Sequence, residues 1–282
     1  MDYRSLSFER KSERDFRKKL VPEKALGQIM DYFNECKRLI PDIDVELRIY
    51  NKEAQNALNA ISGYRGFMIG APCYLVLLSE QKDYFNENAG FIGEDLVLKA
   101  TELGLDSCWV TYGSHNEAKN ALDIESDKLI AGLIAIGYEK HKFINRVIDI
   151  KSMSDVEIDE LDKNRLPRIS IDEFVHIPEW DGKETLDIEN VLSDVMESAR
   201  RAPTYLNMQP YRFIIDGEYI VLVAKQDPEI SEGNLKLGAG ILMLHVSGVA
   251  AQLMKDIQWI FGENGKDYHL PSDYAVLAYF KL

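Results

Sequence analysis

Hydrophobic residues recur along the chain in two rhythms, and their order predicts helices alternating with strands. In Pro22–Phe33, Leu26, Ile29, Met30 and Phe33 fall three and four residues apart, as on one helical face, and Pro22 suits the first helical position. Leu186–Ala202 carries a longer stripe, with Ile188, Val191, Leu192, Val195, Met196 and Ala199 inward. Asp187 is placed to cap that helix and Pro203 to stop it. The unbroken apolar run Tyr74–Leu78, after Ala71-Pro72, predicts a strand covered on both faces. A helix over Gly93–Leu103 follows, ended by Gly104. Then come a strand over Ser107–Thr111, a short helix near Ala118–Leu122 and a strand over Leu129–Tyr138. The most apolar stretch, Leu237–Met254, contains His245, Ser247, Gln252 and three glycines, which predicts a buried helix rather than a membrane span. The alternation points to an α/β chain with layered packing, an α+β sandwich.

The order then recurs. Arg10–Phe16 is echoed by Arg168–Phe174 at a constant offset. Tyr74–Leu78 corresponds to Tyr219–Ala224, Gly93–Thr111 to Gly240–Phe261, and Leu129–Tyr138 to Tyr274–Leu282. Four elements repeated in order predict a duplicated unit, with halves at 1–163 and 164–282 forming a pseudo-dimer within one chain. The acidic stretch Asp149–Arg165 between them reads equally as a solvated linker or an amphipathic surface helix.

At 282 residues the chain is long enough to bury a core without disulfides or metal. Its net charge of −14 repels a polyanion, which sets nucleic acid aside as a partner and makes any basic cluster informative. The three cysteines match no zinc spacing, and the N-terminus Met1-Asp2-Tyr3-Arg4 opens no apolar leader; both point to a reducing cytoplasm.

Three clusters carry candidate chemistry. Arg10, Lys11, Arg14, Arg17, Lys18 and Lys19 fall within ten positions around Ser12, a set of donors suited to a phosphate monoester. Taken alone, that run also reads as a solvated charged face, interrupted by Glu9, Glu13 and Asp15. Ala202–Tyr211 is bracketed by Pro203 and Pro210, which stiffen a loop bearing Thr204, Asn207 and Gln209. Such a loop suits the edge of a heteroaromatic ring. Gly104–Gly113 ends a strand in the polar turn Thr111-Tyr112-Gly113, where α/β folds commonly bind ligands. Cys108 within it reads as a small buried hydrophobe.

Together these motifs resemble the FMN-dependent nitroreductase family, in particular its single-chain branch with two tandem nitroreductase-like halves. The matching residues are Arg10, Ser12 and Arg14; Pro203, Thr204, Asn207, Gln209 and Pro210; and Ala71-Pro72 with Gly104–Trp109. The resemblance implies a nitroreductase-like fold in which one FMN takes its phosphate grip from one half and its ring contacts from the other. Arg10, Lys11 and Ser12 would hold the phosphate, and Arg14 the ribityl chain or the ring edge, stabilising reduced flavin. Pro203, Thr204, Tyr205, Asn207 and Gln209 would approach the ring, and Thr111, Tyr112 and Gly113 would offer backbone donors to it. Lys142 and Arg146 are candidates for further phosphate contacts, in a spacing that departs from the family's. Tyr112, Tyr205 and Phe67 could wall the pocket. NADH or NADPH would supply electrons, a small-molecule acceptor such as a nitroaromatic or quinone would take them, and no catalytic side chain is implied. A monomeric pseudo-dimer would suffice. The rival readings are a non-catalytic flavin-binding redox sensor or scavenger, and a module that has lost flavin. The first half lacks the proline-bracketed loop, and Asp172 replaces the second half's counterpart of Arg14, so one site is expected and not two.

Overall fold

Strand pairing shows the duplication most directly. The computed structural model describes all residues except 64–66, 141–143, 153–154, 163–165, 183 and 186–190; for the strands between 144 and 162 it describes the backbone only. The first half builds α1 (Tyr3–Glu9), α2 (Glu23–Glu35), β1 (Val45–Asn51), α3 (Ala54–Leu58), β2 (Cys73–Ser79), α4 (Phe85–Glu102), β3 (Asp106–Trp109), α5 (His115–Ala121) and β4 (Leu129–Gly137). There follow β5 (Ile144–Ser152), β6 (Asp155–Asp162), α6 (Ile171–Phe174), β7 (Val175–His176), α7 (Val191–Arg201), β8 (Tyr211–Ile215), β9 (Tyr219–Lys225), α8 (Glu232–Leu253), β10 (Ile260–Phe261) and β11 (Tyr274–Lys281). The first sheet runs β1-β2-β4-β3. The second runs β8-β9-β11-β10, the same connectivity, with β7 added in parallel beside β8. The other pairings in both sheets are antiparallel.

The helices expected from periodicity are present among the described residues, although the expected start of α7 with its Asp187 cap lies outside them and Val191, expected on the inward stripe, is exposed. One of them, α4, begins eight residues earlier than expected, at Phe85, and Gly104 takes the positive φ of a helix stop. Among its described residues, the segment read as a linker or surface helix forms neither. Its backbone pairs as the antiparallel ladder β5–β6, with Ile148 opposite Ile158 and Ile150 opposite Val156. The acidic composition hid a period-two alternation of apolar and charged residues.

Both central strands are buried on two faces. Leu75 and Leu77 pack with Ile29, Ile92 and Leu96 from α2 and α4, while Tyr74, Val76 and Leu78 turn to the other side of the sheet. In β9, Ile220 and Leu222 join the α7–α8 core, and Val221 and Val223 face Tyr268. Each such side chain contributes about 1.5–3 kcal/mol by leaving water. The apolar helix α8 is largely buried within the protein. It crosses α4 through two glycines: a Cβ on Gly90 would overlap the carbonyl of Leu237, and one on Gly240 would overlap that of Glu87. In each case the glycine of one helix sits on the carbonyl three residues before the glycine of the other.

Near this crossing Asp95 lies buried, accepting 3.0 Å hydrogen bonds from the Tyr3 and Tyr32 hydroxyls. Burial pushes its carboxyl up to about 6, against the pull of the two hydroxyls. A folded pKa above the unfolded value of about 3.9 means that the folded state holds the proton more tightly, so this contribution is present at low pH and is lost as pH rises through 6. Between pH 5 and 8 wild type should therefore lose about 1 kcal/mol more than Asp95→Asn in urea unfolding. Parallel losses would remove Asp95 as the cause.

Candidate functional site

The chain leaves α1 at Glu9 and runs back along the end of the first sheet. Ser12 bridges Ser107, and the Glu13 N–H donates to the Ser107 carbonyl at 2.8 Å. This stitching fixes the basic motif. Arg10 is buried; its Nη1 donates to Ser12 Oγ at 3.3 Å, and its Nε lies 3.6 Å from Glu94 Oε1. Glu94, fully buried on α4, also accepts from Trp109 Nε1 at 2.7 Å and lies 3.1 Å from His245 Nε2 on α8. The Lys11 ammonium is held by Glu139. Arg14 is exposed and donates to the Ser12 carbonyl at 3.3 Å; no carboxylate among the described residues lies within ion-pairing distance of it.

The second half brings its proline-bracketed loop to the same place. Leu206, Asn207 and Gln209 all take positive φ between the two prolines, a conformation that costs a leucine or glutamine about 1 kcal/mol or more and persists only where surrounding bonds impose it. The bonds are present. Gln209 N–H donates to Thr204 Oγ1 at 3.1 Å, and Gln209 Oε1 accepts from the Ile169 N–H at 3.0 Å. Asn207 Oδ1 accepts from Arg168 Nη1 at 2.7 Å, and its Nδ2 donates to the Pro167 carbonyl at 3.1 Å.

These residues line one chamber of about 110 Å³: Arg10, Lys11, Ser12 and Arg14 from the first half, and Arg168, Arg201, Pro203, Thr204 and Asn207 from the second. Among the described residues that line it, five are basic and none is acidic, in a chain of net charge −14. Desolvation, then the neighbouring Arg10, bring Arg168 down to about 10. Positive charge is concentrated here, and the guanidiniums of Arg10 and Arg168 are withdrawn from water, an arrangement that suits an anion.

A second chamber of about 640 Å³ adjoins the first and shares Ser12, Arg14, Pro203 and Thr204 with it. Its walls mix apolar and aromatic residues, including Trp109, Leu133, Tyr205, Leu237 and Ile241, with polar ones, including Asn86, His115, Glu229 and Asn234. The turn Thr111–Gly113 lies along it. The Gly113 N–H, a backbone donor expected to serve a ligand, already donates to the Ile61 carbonyl at 3.1 Å. Tyr112 donates its hydroxyl to the Ile130 carbonyl at 2.6 Å, and burial raises its pKa. Burial likewise pushes the Cys108 thiol up, in keeping with a hydrophobe and not a nucleophile.

The two chambers thus gather Arg10, Lys11, Ser12, Arg14, Thr111, Tyr112, Gly113, Pro203, Thr204, Tyr205 and Asn207. Gln209 lines neither; it braces the loop against Ile169. Phe67 is 73% exposed and also lines neither. Lys142 and the side chain of Arg146 lie outside the described residues. The sequence reading missed Arg168 and Arg201. The signal for Arg168 was its place in the repeated motif, which had been read as a lost site.

Comparison with known proteins identifies the family. A family model described as "Putative TM nitroreductase" matches residues 5–250. The chain belongs to this nitroreductase family. A Thermotoga maritima protein described as a "putative nitroreductase" shares the fold across 99% of this nitroreductase-family chain and 93% of its own, at 17% identity and a TM-score of 0.60. A Clostridium difficile structure described as an FMN-dependent nitroreductase covers 49% of this chain and 88% of its own length, at 22% identity and a TM-score of 0.43. A Streptococcus pneumoniae nitroreductase-family structure covers 49% and 91%, at 19% identity and a TM-score of 0.43. No curated protein matches the sequence.

Proposed function

We propose that the protein is an FMN-dependent oxidoreductase of nitroreductase type, taking electrons from NADH or NADPH and passing them to a nitroaromatic or quinone-like acceptor. The observation that carries this reading is the junction, at Ser12, Arg14, Pro203 and Thr204, of a small chamber ringed by basic side chains with a larger one that carries Trp109, Tyr112 and Tyr205. FMN has the same two-part chemistry: a dianionic phosphate at one end and a flat, largely apolar ring system at the other. Arg10, Lys11 and Ser12 would hold the phosphate, Arg14 at the junction would reach the ribityl chain or the ring edge, and the Pro203–Tyr205 stretch of the loop and the Thr111–Gly113 turn would flank the ring. The larger chamber falls within the 300–1,000 Å³ typical of ligand pockets. Bound there, the flavin would supply the two-electron chemistry, and the cationic junction would favour its anionic reduced form.

In this reading residues 1–163 supply the phosphate grip and 164–282 supply the loop, so one chain makes one site. Three observations favour a single site. Ser170, the counterpart of Ser12, is engaged in a capping box with Glu173 on α6. Asp172 stands where Arg14 stands in the first half. Between α2 and β1 the first half has Arg38 bonded to Cys36 Sγ and the Phe33 carbonyl in place of a proline-bracketed loop. Reconstituted protein should bind one FMN per chain, and NADH or NADPH should bleach it under anaerobic conditions. A flavin that binds but is bleached by neither would leave the sensor or scavenger reading standing instead. Two FMN per chain would overturn the single site.

A further inference from the structure

Arg168 occupies the position in the second repeat that Arg10 occupies in the first, yet both line the same small chamber. The guanidinium of Arg168 is aimed there by two acceptors. Nη1 donates to Asn207 Oδ1 at 2.7 Å, and Nη2 donates to the Arg201 carbonyl at 3.0 Å. Asn207 is in turn fixed by its bond to the Pro167 carbonyl. Both polar ends of the Asn207 carboxamide are therefore engaged with the chain itself, and the group that this loop residue presents to the chamber is an arginine. Among the described residues no carboxylate lies within ion-pairing distance of Arg168, whereas Arg10 has Glu94 and Lys11 has Glu139. A partly desolvated guanidinium held by neutral oxygens, with another arginine as its neighbour, is a charge arranged for an anion that arrives from outside.

We propose that Arg168 is the second half's own contribution to phosphate binding, positioned by Asn207, so that the duplicated motif has been redirected into the surviving site. The inference rests on the FMN reading above and assigns to that ligand's phosphate monoester a binding residue and a positioning residue. Asn207 thereby acts through Arg168 and not on the ring edge.

The test separates phosphate from ring by titrating the full-length apoprotein with FMN and with riboflavin, which lacks the phosphate. Wild type should bind FMN the more tightly. Arg168→Gln should weaken FMN about 10- to 100-fold, while riboflavin affinity changes less than about twofold. Arg168→Lys, which keeps the charge without the planar fork, should fall between, and Asn207→Ala should shift the FMN-to-riboflavin ratio in the same direction as Arg168→Gln. Equal weakening of both ligands by Arg168→Gln would mean that the residue only supports the loop, and unchanged FMN binding would mean that it faces no phosphate; either overturns the inference while leaving the flavin site intact. Wild type that does not distinguish FMN from riboflavin would overturn the phosphate chamber itself, and this inference with it.

Discussion

Arg14→Glu is expected to weaken FMN binding by at least about 100-fold without lowering the melting temperature of the apoprotein. Arg14 is exposed and sits where the two chambers meet, and among the described residues its guanidinium makes one hydrogen bond to the chain, the 3.3 Å contact with the Ser12 carbonyl. The folded state therefore gains little from the side chain. The ligand should gain more: a charge-assisted hydrogen bond to a flavin oxygen contributes about 1.5–3 kcal/mol, and reversal replaces that donor with a carboxylate that repels the bound anion. Fluorescence titration of the apoprotein reads the affinity, and a thermal melt without flavin reads the fold. FMN binding within tenfold of wild type would show that the junction is not where the flavin's charge sits. The reciprocal change, Asp172→Arg, is expected to create no second site, because the Ser170 hydroxyl and Glu173 remain engaged with each other in their capping box.

This asymmetry was partly legible in the sequence. The replacement of Arg14's counterpart by Asp172 could be seen in one dimension, and so could the missing proline-bracketed loop. The direction taken by Arg168 could not, because its hydrogen bonds run to Asn207 and to a backbone carbonyl at the end of α7, more than thirty residues away in the chain. The same division holds for the fold. Periodicity located α2, α7, α8, β2 and β4, where a stripe or an unbroken apolar run reports burial directly. It missed the first turns of α4, where Glu87 and Asn88 are buried and no stripe exists. Asn88 earns its burial by accepting from the Ile40 N–H at 3.0 Å, a tertiary bond that no local pattern encodes. Strand β1 also went unread, because its burial comes from pairing with β2 at one edge and its own residues are mostly half-exposed. The repeat itself was the most reliable signal, since two copies of one strand order can be recognised even when single elements are ambiguous.

Gly240→Val is expected to lower the melting temperature by on the order of 10 °C, or to prevent folding, and to abolish FMN binding with it. A Cβ at this position would overlap the Glu87 carbonyl of α4, and neither helix backbone has room to retreat while both pack against the core. Overpacking of this kind costs about 1–3 kcal/mol when side chains can yield, and more when the obstacle is backbone. At 2–4 °C per kcal/mol for a domain of this size, a cost of about 3–4 kcal/mol gives the stated shift. The helix-propensity gain from replacing a mid-helix glycine, under about 1 kcal/mol, is too small to offset it. Gly27 isolates that gain, because it lies within α2 and a Cβ there would meet nothing within 4 Å. Gly27→Ala should be neutral or stabilising by up to about 1 kcal/mol. The coupling to FMN is the stronger test. Arg10 and Arg14 come from one half and Pro203–Asn207 from the other, and the α4–α8 crossing is the packed seam between them. A Gly240→Val protein that stays folded but binds FMN as tightly as wild type would mean that the halves can shift without disturbing the chambers, contrary to a site built across their interface.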